Sequence, residues 1–100
     1  PIYQNDVAQH LGMSESAFRR RFSSLTGRSF PAYVNELRVK KVSRMLVETD
    51  ATITEAAYSC GFDSMANFEI QFRRIQGCSP KAYRQKIRGF LNPVLTDSGI

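Results

Sequence analysis

Phe18-Arg-Arg-Arg-Phe22-Ser-Ser-Leu-Thr-Gly27-Arg-Ser-Phe-Pro-Ala-Tyr33 and Phe68-Glu-Ile-Gln-Phe72-Arg-Arg-Ile-Gln-Gly77-Cys-Ser-Pro-Lys-Ala-Tyr83 are two copies of one pattern. Phe, Phe, Gly and Tyr recur in order at a shift of 50 residues. Upstream, Ala8-x-x-x-Gly12 recurs as Ala57-x-x-x-Gly61 at a shift of 49. The one-residue change falls in the turn after the first glycine, where insertions cost least. Two copies are too few for a solenoid, which needs at least three. The pattern therefore describes two similar units and a connecting stretch.

Both units read as helical. The chain has no long alternating apolar and polar run, and no Asn-Gly or Asp-Gly hairpin. Asn5 or Asp6 is positioned to cap a short helix through Leu11. Ser14 caps a second, ending at Gly27 after Thr26. Ser29 precedes Pro31, which is tolerated only in a first helical turn, so a long helix is expected over 31–48. Thr52 and Glu55 have capping-box spacing, which starts a helix at Ile53. Asp63 or Ser64 caps the next, ending before Gly77. Ser79-Pro80 starts a last helix to about Arg88, with Gly89 as its stop. Phe90 to Ile100 reads as loop or frayed end, with Phe90, Leu91, Val94 and Leu95 free to dock on the body. The expected organisation is a first unit over 1–30, a linker helix over 31–48, a second unit over 49–88 and a tail over 89–100.

Each unit is a short helix, a glycine turn and a longer helix. Val7, Ala8 and Leu11 make one apolar face, and Gly12 permits a left-handed turn. Phe18, Phe22 and Leu25 follow at spacings of 4 and 3, so they are expected to face inward. Phe68, Phe72 and Ile75 repeat this in the second unit. Such a shape fits a helix-turn-helix, whose second helix enters the DNA major groove. A plain helical hairpin has the same apolar spacing.

The outward faces carry more information. Opposite Phe18 and Phe22 lie Ser16, Arg19, Arg20 and Ser23, flanked by Arg21. Arginine grips phosphates and reads guanine O6 and N7 bidentately. The bland alternative is a solvated basic face. The second helix presents Met65, Ala66, Asn67, Glu69, Ile70 and Arg73. Ala66 and Ile70 suit thymine methyls, and Asn67 or Glu69 suits adenine or cytosine. Glu69 also faces phosphate repulsion, so this helix reads either as a permissive reader or as a protein contact.

The remaining composition closes off other classes. The chain has 100 residues, 42% of them hydrophobic, which suits one small domain with a real core. No apolar stretch approaches the roughly 20 residues of a membrane span. Cys60 and Cys78 stand alone and read as reduced thiols in a cytosolic protein. His10 is the single histidine, and no cluster of three or four metal ligands surrounds it. No Gly-rich phosphate loop and no nucleophile-base arrangement is present, so neither an enzyme nor a cofactor is expected.

With these residues in place, the chain resembles the AraC/XylS family of bacterial transcription regulators. Ile53-Thr-Glu-Ala-Ala-Tyr-Ser-Cys-Gly-Phe62, Asn67-Phe68, Phe72-Arg73-Arg74 and Gly77-Cys-Ser-Pro80-Lys-Ala-Tyr83-Arg84 carry the resemblance most specifically. Val7-Ala8-Gln-His-Leu11-Gly12-Met13-Ser14, Phe18-Arg-Arg-Arg-Phe22, Gly27, Tyr33, Arg38 and Leu46 extend it over about residues 4–88. The resemblance implies an all-α fold: two helix-turn-helix subdomains, homeodomain-like three-helix units, joined by a central helix. Helices 15–26 and 64–76 would enter successive major grooves of a double-stranded operator, roughly 34 Å apart. A helix over 31–48 spans about 27 Å. Alignment to the family carries base reading onto Ser16, Arg19 and Arg20, and onto Met65, Ala66, Glu69 and Ile70. It also implies RNA polymerase as a partner of the intact regulator, a separate domain for effector binding and dimerisation, and a place at the bacterial nucleoid in the cytoplasm. The runner-up is a helical protein-interaction module. Two departures stand out. Another family helix normally precedes Val7, so it is either cut or reduced to Pro1–Asn5. Val42 stands where the family usually has a small alanine.

Charge is unevenly placed. The net charge is +5. Residues 1–29 hold four basic and two acidic side chains, residues 51–79 two and three, and residues 80–100 four and one. Positive charge is thus expected on the first reading helix and on Lys81, Arg84, Lys86 and Arg88, and the two motifs are expected to grip DNA unequally.

Overall fold

Serine and threonine hydroxyls start most of the helices, because each accepts a backbone N–H that the first helical turn leaves unpaired. In the computed structural model, residues 4–98 are described, with side-chain surroundings given for residues 6–91. The helices are α1 (Gln4–His10), α2 (Glu15–Thr26), α3 (Phe30–Glu48), α4 (Ile53–Ser59), α5 (Met65–Gln76) and α6 (Pro80–Ser98). Ser14 Oγ accepts from Ala17 N–H, Thr52 Oγ1 from Glu55 N–H and Ser64 Oγ from Asn67 N–H. Ser29 and Ser79 do the same for Ala32 and Ala82, at 3.2 and 3.1 Å. The described residues are all helix, turn or coil, an all-α fold.

The chain divides into two compact units, residues 1–37 and 38–100, with the division inside α3. In the first unit, Ala8, Phe18, Phe30 and Val34 are buried, with Val7, Met13 and Phe22 packed on them. Phe18 and Phe30 meet edge to face at 5.1 Å, and Phe22 lies 5.4 Å from Tyr33. Arg28 beyond the end of α2 pairs with Glu36 and covers the Tyr33 ring, so this arginine serves the unit itself.

The second unit has the larger core. Val39, Val42 and Leu46 of α3 bury against Ala56, Ala57, Phe62, Phe68 and Phe72. Val42 is fully buried, so its extra bulk fills core volume. Phe72 and Tyr83 meet at 5.6 Å, the same pair as Phe22 and Tyr33 one repeat earlier. Buried Ser43 donates to Val39 C=O and accepts from Gln76 Nε2 at 2.9 Å, tying the end of α5 to α3. Arg84 donates to the carbonyls of Leu46, Thr49 and Ala51, and Arg88 to those of Thr49 and the Asp50 carboxylate. These arginines satisfy carbonyls at the end of α3 and in the loop that follows it.

Four expectations are corrected. α1 already contains Asn5 and Asp6, so neither caps it; Asp6 sits in the first turn, where a carboxylate favours the helix dipole. Gln4 and Asn5 thus belong to α1 and are not the remnant of an earlier helix, while Pro1 to Tyr3 lie outside the described residues. α3 begins at Phe30, one residue before the proline, because Ser29 is its cap and Pro31 still falls in the first turn. α6 does not stop at Gly89. A glycine ends a helix when it turns left-handed, and Gly89 is not among the glycines of positive φ. The helix runs on to Ser98, so the expected loop is helical, with Phe90 exposed. The side chains of Val94 and Leu95 lie outside the described residues.

Candidate nucleic-acid interface

The site begins with the turns between the short and long helices. Met13 N–H reaches back to Ala8 C=O at 2.9 Å, and Phe62 N–H to Ala57 C=O at 3.1 Å. Gly12 N–H bonds Gln9 C=O and Gly61 N–H bonds Tyr58 C=O. The two repeats thus build one turn twice. Gly12 has φ +70° and Gly61 φ +102°, values that side chains with a Cβ rarely adopt. At Gly61 a Cβ would also come within 3.0 Å of Arg38 Nε.

The turns aim α2 and α5 so that their phenylalanines face the core. Phe18 is buried, and Phe68 and Phe72 are fully buried. Ser16, Arg19, Arg20 and Ser23 are all exposed on α2, beside exposed Arg21. Arg19, Arg20 and Arg21 take part in no ion pair among the described residues. Arg20 and Arg21 border a shallow hollow with Met13, Ala17, Ser24 and Leu25. This face offers three cations and several hydroxyls to an anionic surface.

The face of α5 is chemically different. Ala66, Asn67, Ile70 and Arg73 are exposed, and Met65 and Glu69 are half-buried. Glu69 pairs with Arg73 Nε at 3.8 Å, which offsets the phosphate repulsion expected of a bare glutamate. Gln71, which sequence reasoning missed, links the helix surface: its Nε2 donates to Asn67 Oδ1 at 3.4 Å, and its Oε1 accepts from Arg74 Nε and Nη2 at 3.1 and 2.9 Å. The spacing of 67, 71 and 74 is the signal that could have revealed it.

Two apolar residues are not where the periodicity placed them. Leu11 is 57% exposed and Leu25 77% exposed. Their equivalents in the second unit, Cys60 and Ile75, are half-buried against the cluster to which α3 contributes Val39, Val42 and Leu46. In the first unit α3 contributes Phe30 and Val34, and neither Leu11 nor Leu25 is among the residues packed on that cluster. Leu11 and Leu25 instead line an open groove with Met13, Phe18, Arg21 and Phe22.

No group of three His, Cys, Asp or Glu side chains is arranged to hold a metal among the described residues, and Cys60 and Cys78 are free thiols. No described helix is long and apolar enough to cross a membrane.

The helix-turn-helix domain family profile matches residues 7–86 of this chain. Among solved structures, the DNA-binding domain of AdpA, a global transcriptional factor in complex with a target DNA, is 36% identical, with a TM-score of 0.82, covering 89% of this chain and 80% of that one. An AraC-type transcriptional regulator from Chromobacterium violaceum is 27% identical at TM-score 0.78, covering 86% and 77%. The chain belongs to the AraC/XylS family. Its fold is that of these regulators' DNA-binding domains, with two helix-turn-helix units, and not that of an enzyme. Among curated proteins, the HTH-type transcriptional activator RhaS of Escherichia coli (strain SE11) is 35% identical over 85 residues. That match takes in 85% of this chain but 31% of RhaS, so the chain spans about a third of the length of such AraC-family relatives.

Proposed function

We propose that this chain reads operator DNA for a bacterial transcription regulator, with α2 and α5 entering successive major-groove segments of one duplex. Ser16, Arg19, Arg20 and Ser23 serve the first segment, and Met65, Ala66, Asn67, Glu69, Ile70 and Arg73 the second. Residues 1–30 and 49–88 are the two reading subdomains, and 31–48 joins them. The observation that carries the reading is the row of exposed arginines on α2, without ionic partners among the described residues and directly behind a left-handed glycine turn. Phosphate attraction supplies most of such affinity, and arginine adds guanine recognition. A single helix, α3, of nineteen residues and about 28 Å, runs from the first unit into the second.

By similarity to RhaS, the intact regulator activates transcription, working with RNA polymerase at the nucleoid. Effector binding and dimerisation fall to another domain. The test is selection of bound duplexes from a random double-stranded pool. Two blocks of base preference about 10 base pairs apart are expected. Recovery of no enriched sequence, with binding that is weak at every salt concentration, would overturn the reading.

A further inference from the structure

Resting on that DNA-reading role, we propose that α5 recognises thymine through its 5-methyl group, with Ile70 and Ala66 as the contacts. Thymine's methyl is the apolar feature of the major-groove edge, and an exposed aliphatic side chain on a reading helix matches it. Ile70 is 63% exposed, and Ala66, one turn earlier, is exposed too. The groups that would read bases by hydrogen bonds already have partners within the helix. Asn67 Oδ1 already accepts from Gln71 at 3.4 Å, so bidentate adenine recognition, which uses that oxygen together with the amide nitrogen, has to share it. Gln71 Oε1 is taken twice by Arg74. Glu69, the carboxylate of α5 suited to the cytosine amine, is paired with Arg73.

The charge around Ile70 indicates what covers it. Arg73 and Arg74 follow at three and four residues, on the same side of the helix, and both are exposed. Arg73 pairs through Nε and Arg74 through Nε and Nη2, so both Nη groups of Arg73 and Nη1 of Arg74 stay outside those contacts, and an apolar contact rimmed by them complements a base edge flanked by phosphates. A protein partner seated on Ile70 is the competing occupant, and the test separates the two.

Duplexes recovered from the random pool are resynthesised with uracil in place of thymine, one position at a time, and their affinity for the full chain is measured. Uracil lacks only the methyl. At one or two positions in the α5 half of the site, affinity is expected to fall about three- to fivefold, the worth of one buried methyl. Ile70→Ala is expected to lose a similar factor on the thymine duplex and to bind thymine and uracil duplexes equally. Its thermal melt should match the wild type, since the side chain is exposed. Arg19→Ala should keep the uracil sensitivity, because it acts on the other half of the site. Indifference of the wild type to uracil throughout the α5 half overturns the proposal. So does an Ile70→Ala loss that is equal on both duplexes, or an enriched site confined to the α2 half. Absence of any enriched site is a different failure, that of DNA reading itself.

Discussion

Arg19 and Arg73 carry the same charge and differ in what they have free. Arg73 is engaged by Glu69, while Arg19 has no ion pair among the described residues. An uncommitted guanidinium needs to break nothing before it forks onto guanine, so Arg19 is expected to be the stronger reader. Arg19→Ala is expected to cost about 1–3 kcal/mol and to relax preference at one base position. Titration against duplexes altered one base at a time checks this; equal weakening on every duplex would make Arg19 a phosphate contact. The exposed face of α2 was legible from the sequence, because Phe18 and Phe22 fix which side is in. The commitments of Asn67, Gln71 and Arg74 were less so. They depend on rotamers, which helical spacing permits without dictating.

The elements obey local chemistry at their starts more closely than at their ends. Ser14, Thr52, Ser64 and Ser79 each cap the helix they announce. A cap is a one-residue decision made by a hydroxyl and a nearby N–H, so a sequence displays it. Stops are harder to see, because glycine ends a helix only by adopting a left-handed backbone. Gly27 does so at φ +75° and Gly77 at +79°, while Gly89 stays helical and α6 continues for nine more residues to Ser98. Arg84 and Arg88 fasten the preceding turns to the end of α3, which keeps the helix nucleated through a weak position. Gly89→Ala should therefore stabilise the protein by about 0.5–1 kcal/mol. A Cβ there meets nothing within 4 Å. Urea denaturation followed by circular dichroism reads the change; a lower midpoint would mean that Gly89 acts as a stop in solution.

At the scale of the whole molecule the two copies are alike in motif and unequal in support. Among the described residues, the second unit buries eight hydrophobic residues in one cluster and the first buries four. Leu11 and Leu25 are exposed where Cys60 and Ile75 are packed. The repeat was legible in the sequence, but this inequality was not, since periodicity marks a face as apolar without saying what covers it. Amide exchange should therefore be slower in α4 and α5 than in α1 and α2, because local opening is easiest where burial is least. Equal protection would contradict it. Charge shows the same division of labour. Segment 80–100 holds four basic residues, yet Arg84 and Arg88 spend donors on carbonyls at the end of α3 and in the loop after it. Arg20 on α2 has no ionic partner among the described residues. Removing a phosphate contact lowers the slope of log affinity against log salt by about 1, whereas removing a structural arginine lowers stability instead. Arg20→Ala should flatten the salt dependence and leave the urea midpoint in place. Arg84→Ala should lower the midpoint by removing the donor to the part-buried Leu46 and Ala51 carbonyls, at about 1–3 kcal/mol, and keep the salt slope of its folded fraction. Measuring both quantities on both variants decides it, and a reversed pattern would place the phosphate grip on α6 instead of α2.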